Sequence, residues 1–220
     1  MSMTYEQIKN HPTIRTYIAK ADESLIALGF TEHSFAHVGL VAKRAGDILV
    51  SLGKDEREVE LAKIAGFMHD IGNAINRSQH AEYGAILAND ILKNTDMSIE
   101  DRVTVVSAIG NHDESTGGAT DYISAALIIA DKTDVRRNRV AEKSKKKFDI
   151  HDRVNYAVTN TELVVDNEKK EIILNLTIDE EICTMFEYFE IFLGRMMMSR
   201  GAAELLGVKF KLYANGSKVL

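Results

Sequence analysis

The chain has 220 residues, of which 45% are hydrophobic and 27% charged, and its net charge is -6. That excludes a disordered tail or a fibre, supplies enough apolar side chains for a core, and argues against bulk nucleic-acid binding, which needs a basic surface. The single cysteine, Cys183, excludes an internal disulfide, no basic-then-apolar leader opens the sequence, and no apolar run approaches the ~18 residues that cross a bilayer, so a cytoplasmic protein with no membrane partner is expected.

With Pro12 as the only proline, long helices are expected to dominate. The first begins at Asn10-His11-Pro12, carries Ile14, Tyr17, Ile18, Leu25 and Leu28 at helical spacing, and stops at Gly29. Thr31 or Ser34 caps a second helix with His37, Val38, Val41, Ala45, Ile48 and Leu49, ending near Leu52-Gly53. Asp55 opens a third, which runs through Leu61, Ile64, Ala65 and Met68 into His69-Asp70. A fourth starts near His80 and continues through Ile86, Leu87, Ile91 and Leu92. Ser98-Ile99-Glu100-Asp101 opens a fifth that closes on Gly110-Asn111-His112. A sixth holds Tyr122, Ala125, Leu127 to Ile129 and Asp131 and is expected to reach Arg136 or beyond, followed by a charge run from Ala141 to Lys147.

After about Asp149 the pattern changes. Tyr156 to Val165 and Glu171 to Ile178 are rich in β-branched residues and flank a turn at 166–170, which predicts a hairpin. Glu180 to Arg200 reads as a Met- and Phe-rich helix, and Val208 to Tyr213 as a short strand. The predicted architecture is mainly α: a helical bundle over residues 1–147, with a small α+β extension (β-hairpin, helix, short strand) over 148–220. Met196-Met197-Met198 is read as core or as the contact of a homodimer.

Four of the seven histidines, together with two aspartates, fall at helix ends or on inward faces: His37, His69-Asp70, His80, His112 and Asp131. An imidazole beside a carboxylate in an apolar setting is costly unless the two are paired or bound to a metal. Asp131 follows a run, Ala125 to Ala130, that is apolar all round. Neutral imidazoles with carboxylates and no thiolate suit divalent Fe, Mn, Ni, Co or Zn. A buried hydrogen-bonded pair remains the alternative for His69-Asp70, and a helix cap or exposed residue for His80 and His112.

The order His37, His69-Asp70, Asp131 resembles the HD superfamily of metal-dependent phosphohydrolases over roughly residues 30 to 140. Glu32 to Val41 is similar to its first motif and Gly66 to Gly72 to its second. His80 and His112 resemble the two-metal subset, most nearly the branch that hydrolyses symmetrical dinucleoside polyphosphates. His112 is followed by Asp113-Glu114-Ser115 rather than Gly-Tyr-Pro, unlike the cyclic-dinucleotide branch. The resemblance implies that His37, His69, Asp70 and Asp131 hold one metal, with Asp70 reaching a second completed by His80 and His112. It further implies hydrolysis of a small, nucleotide-like phosphate ester. His33 competes with His37 as ligand; His37 is preferred because Val38 and Val41 follow on the packed side.

Lys132, Arg136 and Arg139 fall at spacings that would put them on one helical face beside Asp131, as phosphate contacts or as a solvated basic stripe. Asp70 and Lys132 are the expected catalytic groups. Asn73, Asp113 and Glu114 are further candidates for orienting or acid roles. Two other readings keep the fold: a regulatory or ligand-binding module that retains the metal site, and a di-iron oxygenase.

Overall fold

The computed structural model describes residues 3–140 and 150–220. Local capping chemistry starts most of the helices. Thr4 and Gln7 cap α1 (Tyr5–Asn10), and Pro12 sits at the first turn of α2 (Pro12–Leu28), which ends on Gly29 at φ 87°. Ser34 caps α3 (Phe35–Ser51), and a reciprocal Asp55–Glu58 box caps α4 (Glu56–Met68). Two 3-10 turns, Ile71–Ala74 and Arg77–Gln79, lead into α5 (His80–Leu92). Ser98 caps α6 (Ile99–Gly110), and Asp121 with Ser124 caps α7 (Tyr122–Lys132).

Helix α7 is the axis of the bundle. Every residue from Ile123 to Ala130 is buried, because α3, α4, α6 and α9 (Met185–Leu205) all pack against it. An all-round apolar sequence is what such a position requires. Helices α3 and α4 approach so closely that a Cβ on Gly66 would lie 2.8 Å from the Ala42 Cα. A tighter approach occurs at Gly72, where a Cβ would fall 1.9 Å from the His80 carbonyl oxygen and 2.5 Å from the Gly84 nitrogen. This contact seats the start of α5 directly against the turn that follows α4.

The extension begins with α8 (Ile150–Ala157), then β1 (Val158–Asp166) and β2 (Glu171–Ile178), joined by a turn in which Lys170 takes φ 53°. After α9 come β3 (Lys209–Ala214) and β4 (Ser217–Lys218). The sheet runs β1-β2-β3-β4, antiparallel except for the β2–β3 pair, which the α9 crossover makes parallel. Ile172, Leu174, Leu176, Phe210 and Leu212 join the same continuous core as α7. Met196 packs into that core while Met197 is exposed.

The mainly-α architecture with an α+β extension is as expected; α1, α8 and β4 were not anticipated. The expectation for the sixth helix needs correction. Helix α7 stops at Lys132 instead of running past Arg136: Thr133 Oγ1 donates back to the Ile129 carbonyl, and the chain turns to bring Asp134 inward. Asp131 is therefore the penultimate residue of the helix, and Lys132, Arg136 and Arg139 share no helical face. The charge run at 141–147 and the boundary at 147/148 lie outside the described residues.

Candidate metal centre

Five separate elements deliver side chains to one point. His37 comes from the first turn of α3, His69 from the end of α4, His80 from the first position of α5, His112 from just beyond α6, and Asp131 from the end of α7. Adjacent helical side chains diverge by roughly 100°, so His69 and Asp70 could not both face that point within an unbroken helix. The helix ends at Met68, just before them: Asp70 adopts φ -96°, ψ 1°, and its Oδ2 comes to 3.3 Å from His69 Nε2.

His37 Nε2 lies 3.3 Å from His69 Nε2, 3.4 Å from Asp131 Oδ1 and 3.5 Å from Asp70 Oδ2. His69 Nε2 is 3.3 Å from Asp70 Oδ2 and 3.6 Å from Asp131 Oδ1. On the other side of Asp70, His80 Nε2 is 3.8 Å from Oδ1. His69, His112 and Asp131 place their ligand atoms within 4.8 Å of one another, as do Asp70, His80 and His112. His37, His69 and Asp70 form a third such group, so the structure gathers all six sequence-predicted ligands, with His69, Asp70 and His112 each shared between two groups.

The outer ring nitrogens show why these atoms point inward. His69, His80 and His112 each place Nδ1 against a backbone carbonyl, of Gly66 at 2.9 Å, Arg77 at 3.1 Å and Ile109 at 2.6 Å. A carbonyl can only accept, so Nδ1 carries a proton and Nε2 is the atom left to take up a second proton or a metal. His37 does the same against a carboxylate, Asp134 Oδ2, at 2.7 Å. Lone pairs of His37 and His69 facing each other at 3.3 Å repel unless a proton or a cation lies between them. Asp70 Oδ2 is buried with no hydrogen-bond partner among the described residues, a costly orphan in the absence of a cation. The donor set and the orphaned oxygen both fit a divalent metal.

The electrostatics describe the same demand. Burial pushes the His69 imidazole down, but Asp70 and Asp131 outweigh it and hold it up at about 10. Burial, His69 and Lys132 together push His112 down to about 3. Burial favours a protonated Asp70, yet His69, His33 and His37 hold its carboxyl well below the usual range; Lys132 and the two imidazoles do so for Asp131. The pocket is therefore a concentration of ionised carboxylates that attracts positive charge.

Lys132 is buried, with Nζ 2.8 Å from Asp131 Oδ2 and 2.7 Å from Glu114 Oε2. Both carboxylates keep it charged against the cost of burial. Arg136 and Arg139 are used differently: Arg136 chelates the Asp134 carboxylate, and buried Arg139 donates to the carbonyls of Asp134 and Glu32. Asn73 donates to Asp70 Oδ1 at 2.8 Å, and Asp113 Oδ2 sits 3.7 Å from His80 Nε2. Sequence reasoning considered Asp134 only as an ion-pair partner for Arg136 and Arg139, not behind His37, and gave no place to Arg195 of α9, whose Nε lies 3.3 Å from Glu114 Oε1. No local pattern announces either, since each acts across the fold. His33, the competing candidate for the place of His37, is buried beside the centre with Nε2 4.0 Å from Asp70 Oδ2.

A helical bundle closing His and Asp side chains from five elements around a point that can take a divalent metal defines the class. The model of the HD domain family matches residues 34–157, and the chain belongs to that family. It is 26% identical to an uncharacterized protein of Methanocaldococcus jannaschii, over 79% of this chain and 76% of that one. It is also similar to ribonuclease Y of Enterococcus faecalis (34% identity) and of Latilactobacillus sakei (33%), over 49% and 50% of this chain; the match spans 19% of each ribonuclease. A crystal structure of a predicted HD superfamily hydrolase from an uncultured Thermotogales bacterium overlays with a TM-score of 0.45 at 22% identity, over 62% of this chain and 81% of that one. Among the described residues no helix is long and apolar enough to cross a membrane.

Proposed function

We propose that the chain is a metal-dependent phosphohydrolase acting on a small, nucleotide-like phosphate ester. One observation carries the reading: four imidazoles whose Nδ1 atoms are tied down gather their Nε2 atoms around Asp70 and Asp131, in three ligand groups that overlap at His69, Asp70 and His112. In this reading His37, His69, Asp70 and Asp131 hold one ion of Fe, Mn, Ni, Co or Zn, and Asp70, His80 and His112 hold a second. Divalent cations there supply a water ionised near neutral pH and an electrophile for a phosphoryl oxygen.

The chain's own residues do the rest. Lys132, held charged beside Asp131, stands ready to offset negative charge that builds on the phosphoryl group. Asp134 fixes the His37 tautomer, and Asn73 orients Asp70. Arg139, buried behind His33 and Asp134, contributes positive charge at longer range; Arg136 is the weaker candidate for a phosphate contact because Asp134 holds its guanidinium. The partial likeness to ribonucleases supports a phosphoester as the bond broken. The division into a metal-binding unit, 1–147, and an extension, 148–220, is part of the same proposal.

The test is elemental analysis of protein purified without chelators, beside phosphate release from p-nitrophenyl esters and nucleotides in Mn²⁺, Fe²⁺, Co²⁺ and Ni²⁺. We expect one or two ions per chain, their loss in Asp70→Ala, and about half retained in His80→Ala. A metal-replete protein that releases no phosphate overturns the reading; oxygen uptake with Fe²⁺ in its place selects the oxygenase.

A further inference from the structure

A cavity of about 270 Å³ opens beside the metal centre, and its far wall belongs to the extension. His33 and Glu114 line the near side. The first lies 4.0 Å from Asp70, and the second joins Lys132, itself bound to Asp131. Asn155 of α8, Phe192 and Arg195 of α9, and Phe30 from the loop after α2 also line it, and Arg195 Nε reaches Glu114 Oε1 at 3.3 Å.

Asn155 is the anomaly. It is 4% exposed, its Nδ2 donates to the His151 carbonyl at 3.0 Å, and its Oδ1 is buried with no hydrogen-bond partner among the described residues. An amide whose donor side is engaged and whose acceptor is left open costs stability unless a ligand supplies an N–H. One other feature of the lining favours a flat ligand: Phe30 is a partly exposed aromatic ring, with the Arg77 guanidinium 5.6 Å from its centroid, whereas Phe192 is buried under Arg195. The volume is just under the roughly 300–1,000 Å³ typical of small-molecule sites, which suits one ring system and a short linker better than an oligomer.

We infer that this cavity seats the leaving group of the phosphate ester, that the leaving group is a flat ring bearing an N–H donor, and that Asn155 selects it. The inference rests on the phosphohydrolase reading for its geometry: the ester's phosphoryl end goes to the metal centre and its ring end to the extension. Asn155 is then a specificity-determining residue supplied by the part of the chain outside the helical bundle.

The experiment is an equilibrium titration of the Mn²⁺-loaded full chain with AMP, GMP, CMP and UMP, and with ribose 5-phosphate, which has the phosphate and sugar but no ring donor. At least one nucleotide is expected to bind roughly 5–100-fold more tightly than ribose 5-phosphate, the range of one aromatic–base stack. Asn155→Ala should erase about tenfold of that preference, and Phe30→Ala, at a partly exposed position, should erase a similar share. Both variants should leave ribose 5-phosphate binding unchanged. Four nucleotides binding no better than ribose 5-phosphate, or a preference that survives both variants, overturns the assignment. Hydrolysis of p-nitrophenyl phosphate beside a flat nucleotide panel sinks the cavity assignment alone. A ring preference that depends on Asn155, in a protein that cleaves no ester, sinks the hydrolase reading alone.

Discussion

Asp134 Oδ2 lies 2.7 Å from His37 Nδ1, and neither side chain reaches solvent. Arg136 and Arg139 converge on the same carboxylate from the loop that follows α7. One buried anion therefore orients a ligand imidazole and ties down the turn that ends the central helix.

Asp134→Ala should act on both roles. Losing the carboxylate frees the His37 tautomer and should weaken metal binding by about 10–100-fold. It also leaves buried Arg139 without its counter-charge, at a cost of about 3–5 kcal/mol. Metal titration and denaturant unfolding of the same variant check the two effects. Unchanged metal affinity would mean that packing alone holds the His37 ring.

Gly72→Ala should act selectively on one side of the centre. The added Cβ would meet the His80 carbonyl at 1.9 Å, so α5 must shift, with about 1–3 kcal/mol lost to overpacking. His80 moves with the helix while His37, His69 and Asp131 stay on other elements. The expected result is a protein that retains about half the metal of the parent, read by elemental analysis.

Lys132→Met should separate chemistry from metal binding. Removing a cation 2.8 Å from Asp131 leaves the centre more negative, so metal affinity should hold or rise. If Lys132 stabilises developing phosphoryl charge, kcat should fall about 100–1,000-fold. A variant that loses metal and activity in step would assign Lys132 to the architecture of the centre and away from the reaction.

Chelation should destabilise the fold. A ligand that binds only the native state contributes about 2.7 kcal/mol at a concentration of 100 Kd. Melting in excess Mn²⁺ should therefore occur several degrees above melting in EDTA. Asp70→Ala should show no such difference; an equal response would place the stabilising ion elsewhere.

Helix starts were legible from sequence because capping is local. Asp55 with Glu58, Ser98 and Ser34 each cap the helix that follows them. The reach of the sixth helix was misjudged. The chain leaves helix at Thr133, whose hydroxyl donates back to the Ile129 carbonyl, and the turned segment carries Asp134 to His37, 97 positions away. The place of His33 was settled only by the fold: its backbone N–H donates to Asp22 of α2 and its ring stands beside His37 and Asp70.

The sequence alone determined the helical class and the chemical types of the candidate ligands, because periodicity, caps and a His-Asp pair after an apolar stripe are short-range signals. It also placed His69, His80 and His112 at helix ends, but Asp131 in the middle of a helix that stops one residue after it. Only the tertiary structure decided that the six candidate ligands share a centre, that Asp134 and not solvent stands behind His37, and that the extension walls a cavity beside Asp70. Those facts depend on how close one helix comes to another, as at Gly66 and Gly72, and such distances are set by the whole core together.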